Sequence, residues 1–384
     1  MSDDPSGSPA DDNGHAPESV TVVVCAYTLD RWTDLRDGVL EAARQLEASG
    51  RTGRVLVVVD HNNDLLTKAG ELSGPLVDVV ANTRRRGLSG GRNTAIGLVD
   101  TDVIVFLDDD ATPESGWLEH LLVPFTDQEV LITGGAATPR WPDGATRPVS
   151  LPEARSGRGE LDWVVGCTYE GQPTTLAPVR NVMGCNMAFR TSVFDTAGLF
   201  GEDLGRVGRV PYGCEETELC IRATRHHPDA TILFEPQSRV RHHVSSDRLT
   251  WSYLWRRSYA EGISKAAVSE RTTRKASLST EMSYATRVLP RGFDDIFGAL
   301  AYGNIGDAYL QQKNNAEALK YYIKAFEHSN NDFVTPIYLK KAGIVASLQG
   351  KKDDALKYYE RIKDEFPTSE EARTIDILIG KISQ

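Results

Sequence analysis

Three consecutive carboxylates, Asp108, Asp109 and Asp110, sit inside the stretch VIVFLDDDATPESGW, directly after an uncharged run from Val103 to Leu107. A short, continuous apolar run of this kind reads as a buried parallel strand, so the acids are expected at its carboxyl end. Neighbouring carboxylates repel one another, and three of them in one turn become comfortable mainly when a cation neutralises them. In open α/β sheets the carboxyl ends of strands are also where ligands bind. The chemistry this suggests is an oxygen-ligated divalent ion holding a phosphorylated substrate. The competing reading is a solvated turn whose Asp side chains cap the helix that ATPESGW would open.

A second stretch, RRRGLSGGRNTAIG, puts Gly87, Gly90 and Gly91 ahead of Arg92 and Asn93 at a helix start. Glycines let backbone approach a ligand, and arginines offer a charged fork to phosphates, so this is a phosphate-binding candidate; the alternative is a flexible basic loop. The GxxGG order is not a dinucleotide fingerprint. The scaffold for these residues is a series of apolar strands, VTVVVCAY, RVLVVVD, PLVDVVAN, DVIVFLDDD and EVLITGG, with the helix DLRDGVLEAARQLEAS between the first two. That βαβ series predicts a mainly parallel sheet. Farther on, TILFEPQSRVRHH reads as a strand and turn. LTWSYLWRRSYAEGISKAAVS reads as a helix whose aromatic and arginine-bearing face suits packing better than membrane contact.

Composition narrows the function classes. With 384 residues the chain is long enough for more than one domain, and its net charge of −11 argues against a generally nucleic-acid-binding surface. Five cysteines without CxxC spacing suggest neither a zinc site nor a disulfide framework, and a reducing compartment fits best. Residues 1–18 are acidic and rich in Ser, Pro and Gly, which predicts a disordered leader. No apolar run approaches a membrane span, so the expected location is cytoplasmic, with membrane contact at most peripheral.

Basic-residue usage reverses along the chain. Up to Arg291 there are 28 arginines and only Lys68, Lys265 and Lys275, whereas residues 292–384 carry ten lysines and two arginines. This predicts a seam near LPRGFDDIFG, of the kind a recombined gene or an engineered fusion would leave. Beyond it, Gly306 and Gly343, Ala318 and Ala355, and Tyr322 and Tyr359 recur with a period of 37. The pattern resembles the tetratricopeptide repeat, an all-α array of helix pairs. It implies association, with another copy or with a polypeptide partner, or a contribution to solubility alone.

Over about residues 20–270 the order of signals resembles the family-2 glycosyltransferases, inverting enzymes with a GT-A fold. The first strand ends VVVCAYTLDRW, which would turn backbone around Ala26 and Tyr27 to the nucleotide base. VVVDHNND places Asp60 near base and ribose, with His61 where relatives often carry a second acid. Arg92 and Asn93 match the Arg-Asn pair after the glycine-rich approach. FLDDDATP corresponds to the DxD motif, implying Asp110 as a metal ligand, Asp108 on the ribose or metal, and Asp109 between them. VRNVMGCNMAFR suggests Asn186 and Arg190 on the acceptor side, while GCEETELC implies Glu216 as the base with Glu215 beside it. RVRHH offers His242, ahead of His243, to the metal.

The expected organisation is a leader (1–18), a GT-A domain (19–249), a helical extension (250–291) and a tetratricopeptide-repeat domain (292–384). The expected activity is a metal-dependent, inverting, hexosyltransferase-type transfer from a nucleotide-diphosphate sugar to a glycan, lipid-linked glycan or peptide, assisted by Mn2+ or Mg2+. The rival expectation is a sugar-nucleotide-binding protein that uses its repeats for interaction and turns nothing over.

Overall fold

Runs of β-branched residues covered on both faces form the centre of the first unit. Strands β1 (Ser19–Ala26), β2 (Thr52–Val59), β3 (Val77–Ala81) and β4 (Val103–Asp108) pair in parallel in the order β3-β2-β1-β4. Alternate side chains part to opposite faces, as the two-residue strand period requires. Val22, Val24, Val105 and Leu107 join one apolar cluster, whereas Val23, Ile104 and Phe106 join the other. Helix α1 (Trp32–Ser49) closes the first face with Leu35, Val39, Ala42 and Leu46. The computed structural model describes residues 17–148, 150–151, 157–203, 213–271, 294–328, 334–367 and 369–382. Most of the expected leader, residues 272–291 of the expected helical extension and the expected boundary between residues 291 and 292 lie outside the described residues.

The sheet continues beyond β4 through strands of both senses. In chain order these are β5 (Ala111–Pro113), β6 (Val130–Arg140), β7 (Ala177–Pro178), β8 (Asn186–Arg190) and β9 (Thr231–His243). β8 lies antiparallel between β4 and β6, β9 runs parallel to β6, and β5 and β7 pair antiparallel with β9. The sheet is mainly parallel, as expected, with the short strands β5, β7 and β8 set against that sense. The register of β6 against β9 jumps from Gly135↔Glu235 to Ala136↔Arg239, a bulge that carries the later half of β9 onto β5. ATPESGW does not start with a capped helix: Ala111–Pro113 is a strand, and α4 (Trp117–Leu122) begins after Gly116 without a side-chain cap. Of the remaining helices, α2 (Asn63–Ala69) follows β2, α3 (Leu88–Ile96) precedes β4, α5 (Val193–Ala197) follows β8, α6 (Glu215–His226) leads into β9, and α7 (Trp251–Arg271) follows it.

The chain divides into two compact units, Met1–Met282 and Ser283–Gln384. The second unit is helical, with α8 (Asp294–Gln311), α9 (Asn315–His328), α10 (Thr335–Leu348), α11 (Lys352–Glu365) and α12 (Ala372–Ile382). Small residues sit where its helices cross: a Cβ on Gly306 would lie 2.7 Å from Tyr322, and one on Gly343 would lie 2.2 Å from Tyr359. Among the described residues, no helix is long and apolar enough to cross a membrane.

Candidate active site

The three acids sit where β4 ends, and β5 begins at the next residue. Because β5 pairs with β9, Ala111 faces His242, and the His243 amide donates to the Asp110 carbonyl at 2.8 Å. Alternation along β9 buries Val240 and His242 and exposes Arg241, so His242 turns inward to the acids. His243 is held apart from them, its Nδ1 2.9 Å from Asp34 Oδ2. Gly166, at φ +81°, permits the tight turn beneath the imidazole, and a Cβ there would come 3.0 Å from His242 Cε1.

Asp108, Asp110 and His242 each offer one ligand atom, and these atoms lie within 4.8 Å of one another. Asp109 Oδ2, Asp110 Oδ1 and His242 Nδ1 are buried with no hydrogen-bond partner among the described residues. His242 Nε2 does approach Asp110 Oδ1 to 3.2 Å, an ion-pair contact without hydrogen-bond alignment. Buried polar atoms without partners are uncommon, and two oxygens with one imidazole nitrogen form a donor set that suits a manganese- or magnesium-like ion. The residues present therefore fit a divalent cation.

The electrostatics of this turn divide its members. Burial raises Asp109 to about 7 against the pull of Arg31, with Asp110 adding to the rise. Burial acts on Asp110 in the same sense, but the His242 imidazolium, Arg31 and Arg248 overcome it and hold its carboxyl well below the usual range. Burial would lower His242, yet Asp110 and the Cys167 thiol raise it to about 10 while no ion is bound, so a cation taken up through this ring would displace its proton. Arg31 Nη1 lies 2.6 Å from Asp109 Oδ1 and 2.9 Å from Asp110 Oδ2, and Arg248 Nη2 lies 3.6 Å from Asp110 Oδ2. Sequence reasoning missed both arginines. A lone arginine in TLDRW or SSDRL carries no spacing that marks it.

Arg92 does not face open solvent. Its side chain is 2% exposed and packs between the Phe106 and Phe200 rings, with Nη2 donating to the Gly184 carbonyl at 2.9 Å. Nη1 binds Glu215 Oε1 at 2.9 Å, while Nη2 lies 3.6 Å from Asp108 Oδ1. One guanidinium thus ties the acidic turn to the first turn of α6. Glu215 is engaged in this buried pair. Glu216, the next residue, has its carboxyl pushed up to about 8 by burial and by the Glu215 charge. Asn93 is a brace: its amide donates to the Phe200 carbonyl at 2.9 Å and its oxygen accepts the Phe200 amide at 3.0 Å.

The glycines of this segment serve close packing. A Cβ on Gly90 would lie 1.8 Å from the Arg85 carbonyl oxygen, and one on Gly91 would lie 3.2 Å from Cys25 Sγ. At the ends of β1 and β2, Ala26 is buried and its carbonyl accepts the Asp60 amide at 2.7 Å. Asp60 accepts from Asn82 Nδ2 at 2.7 Å and from the Gly87 amide at 2.9 Å. Tyr27 is 54% exposed with the Arg31 guanidinium over its ring. Ala26, Tyr27, Asp60 and Asp108 therefore share the carboxyl edge of the parallel strands.

Two expected acceptor contacts are not brought to this edge as free groups. Asn186 is fully buried: Trp117 Nε1 donates to its oxygen at 2.8 Å, and its amide donates to Ala136 and Ser238 carbonyls at 3.1 and 3.0 Å. It stitches the bulge between β6 and β9, whose carbonyls would otherwise lack partners. Arg190 pairs with Val103, at the amino end of β4, and its guanidinium donates to the Phe125, Asp127 and Val130 carbonyls. Its position is about 13 Å along the strand from Asn186. Burial pushes the Cys25 thiol up to about 12 and raises Cys185 as well, which disfavours the thiolate form of both.

The chain matches the family model described as Glycosyl transferase family 2 over residues 21–198 and that of the Tetratricopeptide repeat over 299–363. It is 30% identical over 249 residues to a glucosyl-dolichyl phosphate glucuronosyltransferase of Haloferax volcanii, covering 64% of this chain and 76% of that protein. It is 28% identical over 214 residues to a pre-mycofactocin glycosyltransferase of Mycobacterium tuberculosis, covering 54% of this chain and 41% of that protein. Among solved structures, a crystal structure of GalNAc-T7 with UDP, GalNAc and Mn2+ aligns over 59% of this chain and 43% of that chain, at 18% identity and a TM-score of 0.41.

Proposed function

The chain belongs to glycosyltransferase family 2, and we propose that it moves a sugar from a nucleoside-diphosphate donor to an acceptor hydroxyl with inversion, with help from a divalent cation. The observation that carries this reading is the convergence of Asp108, Asp110 and His242 at the carboxyl edge of the sheet, where Asp110 Oδ1 and His242 Nδ1 are buried without hydrogen-bond partners among the described residues. A divalent cation held by these three residues would neutralise negative charge on the departing diphosphate.

The chain's own residues do the rest. The exposed ring of Tyr27 and the carboxylate of Asp60 contact the donor's base and ribose. Glu216 takes the proton from the acceptor hydroxyl, a task suited to a base whose pKa lies near working pH. Arg92 holds Glu215 in an ion pair and so leaves Glu216 as the available carboxylate. Asn186 and Arg190 act as braces of the scaffold, their side chains spent on neighbouring groups rather than on the acceptor. Likeness to the Haloferax volcanii protein makes glucuronosyl transfer to a glucosyl-dolichyl phosphate the first combination to assay.

The test is nucleotide release from a panel of sugar nucleotides, with Mn2+ or with chelator, and product configuration by NMR. Inverted product from the parent, and none from Asp110→Asn, is expected. Binding without nucleotide release would favour the sugar-nucleotide-binding protein, and product with retained configuration would refute inversion.

A further inference from the structure

Arg31 covers the acids at which a cation would bind. It closes the short turn Leu29–Arg31 ahead of α1, a turn capped by Thr28 through the Asp30 amide. From there a single nitrogen, Nη1, reaches both Asp109 Oδ1 at 2.6 Å and Asp110 Oδ2 at 2.9 Å. The Arg31 side chain keeps 22% exposure, whereas those of Asp109 and Asp110 keep 5% and 3%, so the guanidinium is the outermost of the three groups. It leaves Asp110 Oδ1, which lies 3.2 Å from His242 Nε2, and Asp109 Oδ2 without hydrogen-bond partners among the described residues. Arg248 approaches the same Asp110 Oδ2 less closely, at 3.6 Å.

We propose that Arg31 is the resident counter-ion of the acidic turn, which stabilises the turn while no cation is bound and opposes a divalent cation when one arrives. The inference rests on the metal-assisted reading given above. A monovalent and a divalent positive charge a few ångströms apart in a poorly solvated turn repel strongly. A buried acid pair with neither of them is also costly. Arg31 acts through Asp110 and is a positioning residue, and its balance between the acids and the ring of Tyr27, 5.3 Å away, sets how readily the turn accepts an ion.

The experiment measures Mn2+ binding to the full chain without nucleotide, by the loss of free-ion EPR signal, alongside thermal melting in chelator and in saturating Mn2+. Arg31→Gln and Arg31→Met should bind Mn2+ about tenfold more tightly than the parent. They should also melt lower in chelator, with the deficit closing in Mn2+. Arg31→Lys should stay near the parent, because one ammonium can serve where one Nη1 now does. Arg36→Gln, which removes an exposed charge paired with Asp37, is the control and should bind like the parent. A gain under about threefold in both uncharged variants, or weaker binding, overturns the proposal. If both unfold in chelator, refolding on addition of Mn2+ supports it and failure to refold overturns it. Equal Mn2+ binding by the parent and by Asp110→Asn would instead remove the metal site, and the proposal with it.

Discussion

Glu215 and Glu216 are neighbours with opposite fates, and the difference lies in one guanidinium. Arg92 reaches Glu215 at 2.9 Å and leaves Glu216 beside a like charge, which together with burial lifts Glu216 to about 8. A base must be deprotonated to act, so kcat/KM should rise with pH and level off near that value. The same shift means the folded chain keeps a proton that the unfolded chain has released. Glu216's contribution to stability is therefore lost as pH rises between about 4.5 and about 8, an effect that melts across this range can follow. Glu216→Gln should keep donor affinity, lose the pH-dependent rise, and lower kcat by about 10²–10⁴. Turnover within threefold of the parent would move the base elsewhere. Truncating Arg92 has a different consequence, since it leaves Glu215 buried and unpaired, a change that costs about 3–5 kcal/mol. Arg92→Ala should thus show as a fall in melting temperature before any kinetic effect can be read.

At the level of elements, short apolar runs carried most of the information. The strands VTVVVCAY, RVLVVVD and DVIVFL were legible because both faces of each are buried, which leaves no polar position to blur the pattern. β5 was not legible. Three residues beginning with Ala111 have no period of their own, and their strand state comes from pairing with a partner far along the chain. The antiparallel insertion of β8 was hidden for the same reason, since pairing sense is not written in composition. Asn186 and Arg190 were named through the resemblance of their segment to the acceptor side of family-2 glycosyltransferases, yet their partners are backbone carbonyls exposed by a bulge and a loop. The acids were legible because three adjacent like charges at a strand end call for a neutralising cation, whereas the two histidines and the Glu pair were legible through the resemblance to family-2 glycosyltransferases. The glycines before Arg92 were legible as special positions, but their constraint is steric. Gly90→Ala should cost about 1–3 kcal/mol, because the methyl group would meet the Arg85 carbonyl within the backbone itself. Chemical denaturation of that variant checks the prediction, and an unchanged midpoint would contradict it.

On the scale of the whole molecule, the chain joins a glycosyltransferase-family unit to a helical-repeat unit, each with its own apolar core. We propose that the repeats serve association and take no part in the chemistry. In the second unit Asp307 binds Lys341 at 2.8 Å and accepts the Tyr322 hydroxyl at 2.6 Å, joining α8, α9 and α10, and among the described residues of this unit no donor set resembles the acidic turn. A chain cut after Arg291 should still hydrolyse donor, while any oligomer seen by light scattering falls to monomer. A folded but inactive truncation would show that the repeats complete the site.

The pairing of β5 with β9 also sets when the site comes into being. It joins Asp110 to His242, partners more than 130 positions apart along the chain, through a strand of only three residues. Closing so long a loop is entropically slow, and so short a strand cannot form until its partner has docked. Competence to bind Mn2+ should therefore appear late in refolding, after most helical signal has returned. Stopped-flow circular dichroism run beside Mn2+ uptake would separate the two phases. Cation binding in this chain would then act as a lock set on the last-formed contact, holding β9 in place once it arrives.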